Sequence, residues 1–176
     1  LRADRETVTP VTAQDADDLK RAALAQIPGV DAVIVSDYAK GMFAGDLSAE
    51  VIAAARKAGK PVIVDPKGVN YARYRNASVI TPNRGELAEA MRTSVDGEAD
   101  LIAAAQALRA ETHADTILVT RSGEGMTLVG DDVVHLPAEA REVADVTGAG
   151  DTVAAVLTLA LACGASVADA ARLANV

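Results

Sequence analysis

Apolar residues occur along the chain in short runs that alternate with longer segments of helical spacing. The short runs are rich in Val, Ile and Leu, which predicts buried strands. They lie at residues 32–35, 62–64, 79–80 and 116–119. The helical segments lie at residues 19–27, 47–58, 84–91 and 99–110. Strands and helices that alternate in this way predict parallel βαβ units.

The last third of the chain begins with a different pattern. Residues 126–129 and 133–136 alternate apolar and polar positions around Gly130-Asp131-Asp132, which predicts a β-hairpin. Residues 148–163 and 167–175 return to helical spacing. The sequence therefore predicts an α/β fold, with a doubly wound, mostly parallel sheet and an antiparallel hairpin at its edge.

Composition narrows the range of partners. Half of the 176 residues are hydrophobic, which is enough for one sizeable core, and the formal net charge is −8. The acidic excess and the lack of a long basic run argue against nucleic acid and against an anionic membrane as partners. No stretch of the sequence is long and apolar enough to span a bilayer. An anionic substrate would therefore be held by local groups.

The single cysteine and the two chain ends add further expectations. Cys163 lies in an apolar helical stretch, so we expect a small buried core residue in a protein of the reducing cytoplasm. The chain starts at Leu1 without an initiator Met and stops at Val176 within a helical pattern. We therefore interpret residues 1–176 as a single, partial domain of a longer protein.

The glycine-rich segment DVTGAGD, at residues 145–151, carries the most specific chemistry. Backbone N–H groups at the start of a helix, unobstructed at Gly148 and Gly150, can surround a transferring phosphoryl group. The Asp151 carboxylate beside them can take a proton from an attacking hydroxyl. Phosphoryl transfer to an alcohol needs these two parts. The simpler alternative is an ordinary helix start with a glycine in the preceding loop.

Four polar clusters follow the predicted parallel strands, where ligands bind in parallel α/β sheets. The first is SDYAKG at residues 36–41, and the second is DPKG at residues 65–68. The carboxylate and the lysine of the second cluster could meet a phosphate or a metal with its waters, and both clusters supply candidates for phosphate or substrate contact. The candidates are Asp37, Lys40, Asp65 and Lys67. A capped turn and an Asp-Pro turn are the structural alternatives.

The third cluster is TPNRGE, at residues 81–86. Asn83 and Glu86 have the spacing of a capping box at a helix start. The functional alternative is that both lie on one face of the first turn and organise Mg²⁺ through its waters, beside ATP phosphates. Arg84 could reach a phosphate, or it could be a solvated arginine. The fourth cluster, TRSGEG, occupies residues 120–125.

Several common signatures are absent from the sequence. There is no P-loop pattern, no G-x-G-x-x-G after a strand, no zinc-ligand spacing and no nucleophile elbow. These absences disfavour a P-loop NTPase, a dinucleotide oxidoreductase, a zinc enzyme and a serine hydrolase.

DVTGAGD and the N-x-x-E pattern resemble the two signatures of the ribokinase-like (PfkB) carbohydrate kinases. The resemblance implies Asp151 as the catalytic base and an anion hole formed by the amides of Gly148, Ala149 and Gly150. It implies an ATP site near Asn83, Arg84, Gly85, Glu86, Thr120 and Gly123, with Asn83 and Glu86 holding the metal through water. Asp145 and Thr147 are further candidates for phosphate or substrate contact. The implied cofactors are ATP and Mg²⁺, and the need for a monovalent cation is left open.

Within that family, residues 30–176 are similar to the subgroup that phosphorylates D-glycero-D-manno-heptose 7-phosphate. The similarity lies in SDYAKG, in DPKG, and in the segments at residues 74–75, 81–83 and 118–122. It implies ATP-dependent phosphorylation of the anomeric hydroxyl, which gives the 1,7-bisphosphate for ADP-heptose and the lipopolysaccharide core. In this subgroup the kinase is often the N-terminal domain of a bifunctional kinase and adenylyltransferase.

Two alternatives stay open from the sequence. One is a kinase for another sugar or sugar phosphate, such as fructose 1-phosphate or ribose, because the family signatures are shared. The other is a non-catalytic nucleotide-binding fragment, because the N-terminal lid region and the C-terminal end of a full kinase domain are absent from these residues. The expected partners are a small-molecule sugar phosphate and ATP, and a homodimer of the full-length protein is left open.

Overall fold

The computed structural model describes residues 11–43, 45–138 and 148–175. Six strands form one mixed sheet whose spatial order follows the chain order, and their bounds match the apolar runs closely. They are β1 (Val33–Ser36), β2 (Val62–Asp65), β3 (Val79–Ile80), β4 (Thr116–Thr120), β5 (Met126–Val129) and β6 (Val133–Leu136). β1 to β4 are parallel, and β5 and β6 form the antiparallel edge hairpin. The fold class predicted from the sequence is confirmed.

The helices that accompany the sheet also follow the predicted pattern. They are α1 (Ala13–Gln26), α2 (Leu47–Lys57), α3 (Arg84–Met91), α4 (Glu98–Thr112), α5 (Ala149–Ala162) and α6 (Val167–Ala174). α1 begins six residues before the predicted start, because the Thr12 hydroxyl accepts a hydrogen bond from Asp15 N at 3.1 Å and caps the helix. Short 3₁₀ segments lie at Ile27–Gly29, Tyr71–Tyr74 and Ser122–Glu124.

Each face of the sheet carries its own hydrophobic cluster. Successive side chains of a strand point to opposite faces, so Val62 and Val64 of β2 join one cluster and Ile63 joins the other. All three side chains are fully buried. This explains why β2 reads as an unbroken apolar run rather than an alternating one.

The two faces are covered by different parts of the chain. The first face packs against α2 and α4, which contribute residues such as Ile52 and Leu108. The second face packs against α5 and α6, which contribute Leu157 and Ala171. α5 contacts β1 and β2, so it lies across the parallel part of the sheet.

One expectation about the core is wrong. Cys163 is exposed rather than buried. α5 ends at Ala162, and Cys163 is the capping residue beyond its last turn, where the chain has already left the sheet. None of the described helices has both the length and the apolar character needed to cross a membrane.

Candidate active site

The N-terminus of α5 presents a group of backbone amides. Gly148 is the capping residue, with a φ of +79° that favours glycine. The first bond of the helix runs from Thr152 N to Gly148 O at 2.9 Å, so the amides of Ala149, Gly150 and Asp151 precede the hydrogen-bonded ladder. No atom lies within 4 Å of the point where a Cβ on Gly150 would be. An anion could therefore approach these amides closely.

Asp151 lies in the first turn of α5 and accepts a hydrogen bond from a residue 113 positions earlier in the sequence. The Tyr38 hydroxyl, in the loop after β1, donates a hydrogen bond to Asp151 Oδ1 at 2.7 Å. The other carboxylate oxygen, Oδ2, lies 3.9 Å from the point where a Cβ on Gly148 would be. The carboxylate is thus placed between the loop after β1 and the glycine turn.

Asp65 is the last residue of β2, and it is paired in register with Ser36 of β1. Burial raises the pKa of Asp65 to about 6, and the negative charges of Glu86 and Asp151 act in the same direction. The charge of Lys67 and a hydrogen bond with Ser36 oppose this rise in the pKa. The carboxylates of β2, α3 and α5 are therefore close enough to repel one another.

Glu86 connects the second cluster with the third. Glu86 Oε2 accepts from Asn83 N at 3.0 Å, and Asn83 Oδ1 accepts from Glu86 N at 2.9 Å, which completes the capping box. Lys67 Nζ lies 2.7 Å from Glu86 Oε1. This hydrogen bond and the charge of Glu86 raise the pKa of Lys67. A cationic side chain thus lies among the carboxylates at this edge.

The third and fourth clusters also lie side by side. Thr120 N donates to Pro82 O at 3.1 Å, which extends the parallel pairing of β3 and β4 to Asn83. Arg84 forms an ion pair with Glu124 at 2.7 Å, so the start of α3 is tied to the turn after β4.

The glycines of these two clusters differ in the room around them. A Cβ on Gly85 would lie 3.3 Å from Asn83 Oδ1, whereas a Cβ on Gly123 would meet nothing within 4 Å.

Asp37 lies apart from the carboxylates that gather at the strand ends. Its side chain is buried and accepts hydrogen bonds from Tyr74 Oη at 2.7 Å, Arg73 Nη1 at 3.2 Å and Ala39 N at 2.7 Å. The structure therefore directs this carboxylate toward the 3₁₀ segment at Tyr71–Tyr74. Lys40 is exposed in the same loop as Asp37.

The remaining site residues are Asp145, Thr147 and Tyr38. Asp145 and Thr147 fall outside the described residues. The sequence places Tyr38 in the SDYAKG cluster but indicates no role for it. The only feature of the sequence that favours a role for Tyr38 in the site is its position, two residues beyond the end of β1.

The donor set fits the phosphate and metal chemistry expected of the site. Within the described ranges, no three His, Cys, Asp or Glu side chains lie close enough together to hold a metal ion by themselves. Mg²⁺ commonly keeps several waters and binds through substrate phosphates and one or two carboxylates. Glu86 and Asp65 could hold such waters, and the amides that begin α5 suit a phosphoryl group.

The raised pKa of Asp65 predicts a pH-dependent cost to stability. The folded pKa of about 6 exceeds the ordinary 3.8. Stability from this group is therefore fully present below about pH 4 and is lost as the pH rises through 6. Asp65→Asn should raise the free energy of unfolding at pH 7.5 by about 1–2 kcal/mol, after allowance for solvent screening. Near pH 4 it should have little effect.

Urea unfolding of both proteins at the two pH values measures this difference. Asp31→Asn, at an exposed aspartate just before β1, is the matched control and should change stability little at either pH. Equal stability of wild type and Asp65→Asn at pH 7.5 would show that the buried charge carries no cost.

The sequence matches the pfkB family of carbohydrate kinases over residues 3–176. The bifunctional protein HldE of Rhodospirillum rubrum is 52% identical over 177 residues, which cover 99% of this chain and 36% of that protein. HldE of Paramagnetospirillum magneticum is 49% identical over 178 residues, which cover 100% of this chain and 36% of that protein. The chain thus spans about a third of the length of these relatives.

Solved structures share the fold. Phosphofructokinase-2 from Escherichia coli, in complex with potassium, has a TM-score of 0.79 and 21% identity, over 94% of this chain and 54% of that chain. Ribokinase from Arabidopsis thaliana, complexed with ribose and ATP, has a TM-score of 0.74 and 22% identity, over 94% of this chain and 51% of that chain. The match over nearly the whole sequence, the two close relatives and the shared fold lead to one conclusion. The chain belongs to the pfkB family of carbohydrate kinases.

Proposed function

We propose that the full-length protein is a cytoplasmic, ATP-dependent kinase of D-glycero-D-manno-heptose 7-phosphate. It phosphorylates the anomeric hydroxyl and forms the 1,7-bisphosphate, a precursor of ADP-heptose. The observation that carries the kinase activity is the position of Asp151 beside the first amides of α5. The choice of sugar is supported by the high identity to HldE proteins and by the segments SDYAKG and DPKG.

The reaction assigns distinct roles to the residues at the start of α5. The sugar hydroxyl gives its proton to Asp151, its oxygen forms a bond to the γ-phosphorus of ATP, and the bond from that phosphorus to ADP breaks. The amides of Gly148, Ala149 and Gly150 donate hydrogen bonds to the phosphoryl oxygens, where negative charge develops. These amides are set by the backbone, so they need no rearrangement during the transfer.

Residues at the other strand ends bind ATP and offset its negative charge. Asn83 and Glu86 would hold the waters of a bound Mg²⁺, which would reduce the negative charge on the phosphates. Lys67, already among the carboxylates, can shift toward an arriving phosphate, and Lys40 is a second cation for the same purpose. The residues that border the nucleotide are Arg84, Gly85, Thr120 and Gly123. A potassium requirement is worth testing because phosphofructokinase-2 was solved with potassium.

The test is ADP release by the full-length protein with Mg²⁺-ATP and a panel of sugars. The panel contains heptose 7-phosphate, fructose 1-phosphate, fructose 6-phosphate and ribose. We expect turnover on heptose 7-phosphate alone. Turnover on another sugar in its place would overturn the substrate but keep the kinase. ATP binding without sugar-dependent ADP release from any member of the panel would favour the non-catalytic alternative.

A further inference from the structure

Tyr38 is an exposed aromatic residue with a specific polar contact. Its side chain is 58% exposed, so it contributes little to the hydrophobic core. Its hydroxyl nevertheless donates to Asp151 Oδ1 at 2.7 Å, across a separation of 113 residues. That hydrogen bond, together with the negative charge of Asp151, raises the pKa of Tyr38. The tyrosine therefore makes a specific polar contact with Asp151 although most of its surface is exposed.

The backbone on both sides of Tyr38 is fixed by buried contacts. Asp37 N donates to Asp65 O at 2.9 Å, which anchors the loop to the end of β2. The Asp37 carboxylate accepts from Ala39 N and from the buried Tyr74 hydroxyl, each at 2.7 Å. The Tyr38 side chain thus projects from a backbone that is held before and after it. This support distinguishes the contact from an incidental hydrogen bond between two mobile surface side chains.

The two carboxylate oxygens of Asp151 have different surroundings. Oδ1 accepts the hydrogen bond from Tyr38, whereas Oδ2 lies 3.9 Å from the point where a Cβ on Gly148 would be, next to the first residues of α5. A carboxylate with one oxygen fixed cannot rotate freely about its Cβ–Cγ bond. The remaining oxygen is then the one that meets a sugar hydroxyl next to the phosphoryl group.

We propose that Tyr38 is a positioning residue for the base. Its hydroxyl holds Asp151 so that Oδ2 faces the anion hole. This inference rests on the proposed function, because it assigns Asp151 the role of proton acceptor.

The decisive variant is Tyr38→Phe in the full-length protein. We expect kcat to fall about 10- to 100-fold, because the base loses its orientation, while the KM for ATP changes little. The wild type and the variant share the other charged side chains at the strand ends, which are Asp65, Lys67 and Glu86. Tyr71→Phe is the matched control: among the described residues its buried hydroxyl has no hydrogen-bond partner, so kcat should be unchanged.

A double-mutant cycle separates positioning from a general structural effect. In the Asp151→Asn background, Tyr38→Phe should cost almost nothing further, because Tyr38 acts through the carboxylate. An equal loss of kcat in both backgrounds would overturn the proposal, as would an unchanged kcat for Tyr38→Phe alone.

A second readout does not depend on turnover. The ultraviolet titration of Tyr38, obtained as the difference between wild type and Tyr38→Phe, should move to lower pH in Asp151→Asn, because the negative charge is lost. An unmoved titration would show that the contact does not exist in solution. The expected titration together with a wild type inactive on every sugar would refute the proposed function, and with it the role given to Tyr38.

Discussion

Asp151→Asn should lower kcat for sugar phosphorylation by about 10²- to 10⁴-fold and leave the affinity for ATP near that of the wild type. The side chain keeps its size and an oxygen that can accept the Tyr38 hydrogen bond, but it can no longer take a proton. The amides at the start of α5 are unchanged, so the phosphates keep their binding groups. The loss should therefore appear in turnover and not in nucleotide binding.

The measurement combines ADP release at saturating sugar with calorimetric titration of ATP. Asp169→Asn is the matched control, because Asp169 occupies the first turn of α6 as Asp151 occupies the first turn of α5. Both aspartates are the third residue of their helix, so each replacement removes one acidic side chain from a helix N-terminus. Turnover of Asp151→Asn within a few-fold of wild type would refute its role as the base.

Gly125→Ala should have the largest effect on stability. A Cβ at this position would lie 2.0 Å from Leu136 O, 2.5 Å from Ala138 N and 2.7 Å from Pro137 C. All three are backbone atoms, so no side chain can move aside. The conformation of Gly125, φ +87° and ψ −135°, is itself restricted almost entirely to glycine. We expect a loss of more than about 4 kcal/mol in the free energy of unfolding, enough to leave little folded protein at 37 °C.

Gly123→Ala provides the comparison within the same turn. Gly123 is not among the positive-φ residues, and a Cβ there would meet nothing within 4 Å. Its replacement should change stability by less than about 1 kcal/mol. Urea unfolding, or the yield of soluble protein if Gly125→Ala does not fold, measures the difference. Similar stability of the two variants would mean that the hairpin can move away from the turn.

The sequence predicted the fold well where local signals were strong. α3 was placed at its observed bounds, because Pro82 ends the preceding strand and Asn83 with Glu86 forms a capping box. The observed start of α1 lies before the predicted one, because none of the residues of this helix is buried and its first turns show no apolar periodicity. Cys163 was misjudged for a related reason: apolar spacing continues one residue beyond the helix that it predicts.

The candidate site was predictable only in part. Asp65, Lys67 and Glu86 converge because the ends of parallel strands share one edge, a rule that needs no coordinates. The inward direction of Asp37 was also accessible, because the alternation that buries Val35 turns Asp37 to the same face. The contact between Tyr38 and Asp151 was not, since it depends on how α5 crosses the sheet. The capping box at Asn83 is confirmed, whereas its contact with a metal stays a prediction.

The place of α5 in the chain also sets an order of assembly during synthesis. A nascent chain emerges N-terminus first, at about 5–20 residues per second. All six strands and every helix of the first face precede Gly148 in the sequence. The strand ends are therefore synthesised before α5, and Asp151 can meet Tyr38 only after all of them have been made. A chain that ends before α5 therefore contains the strand ends that we propose bind ATP, but it lacks Asp151, the proposed base.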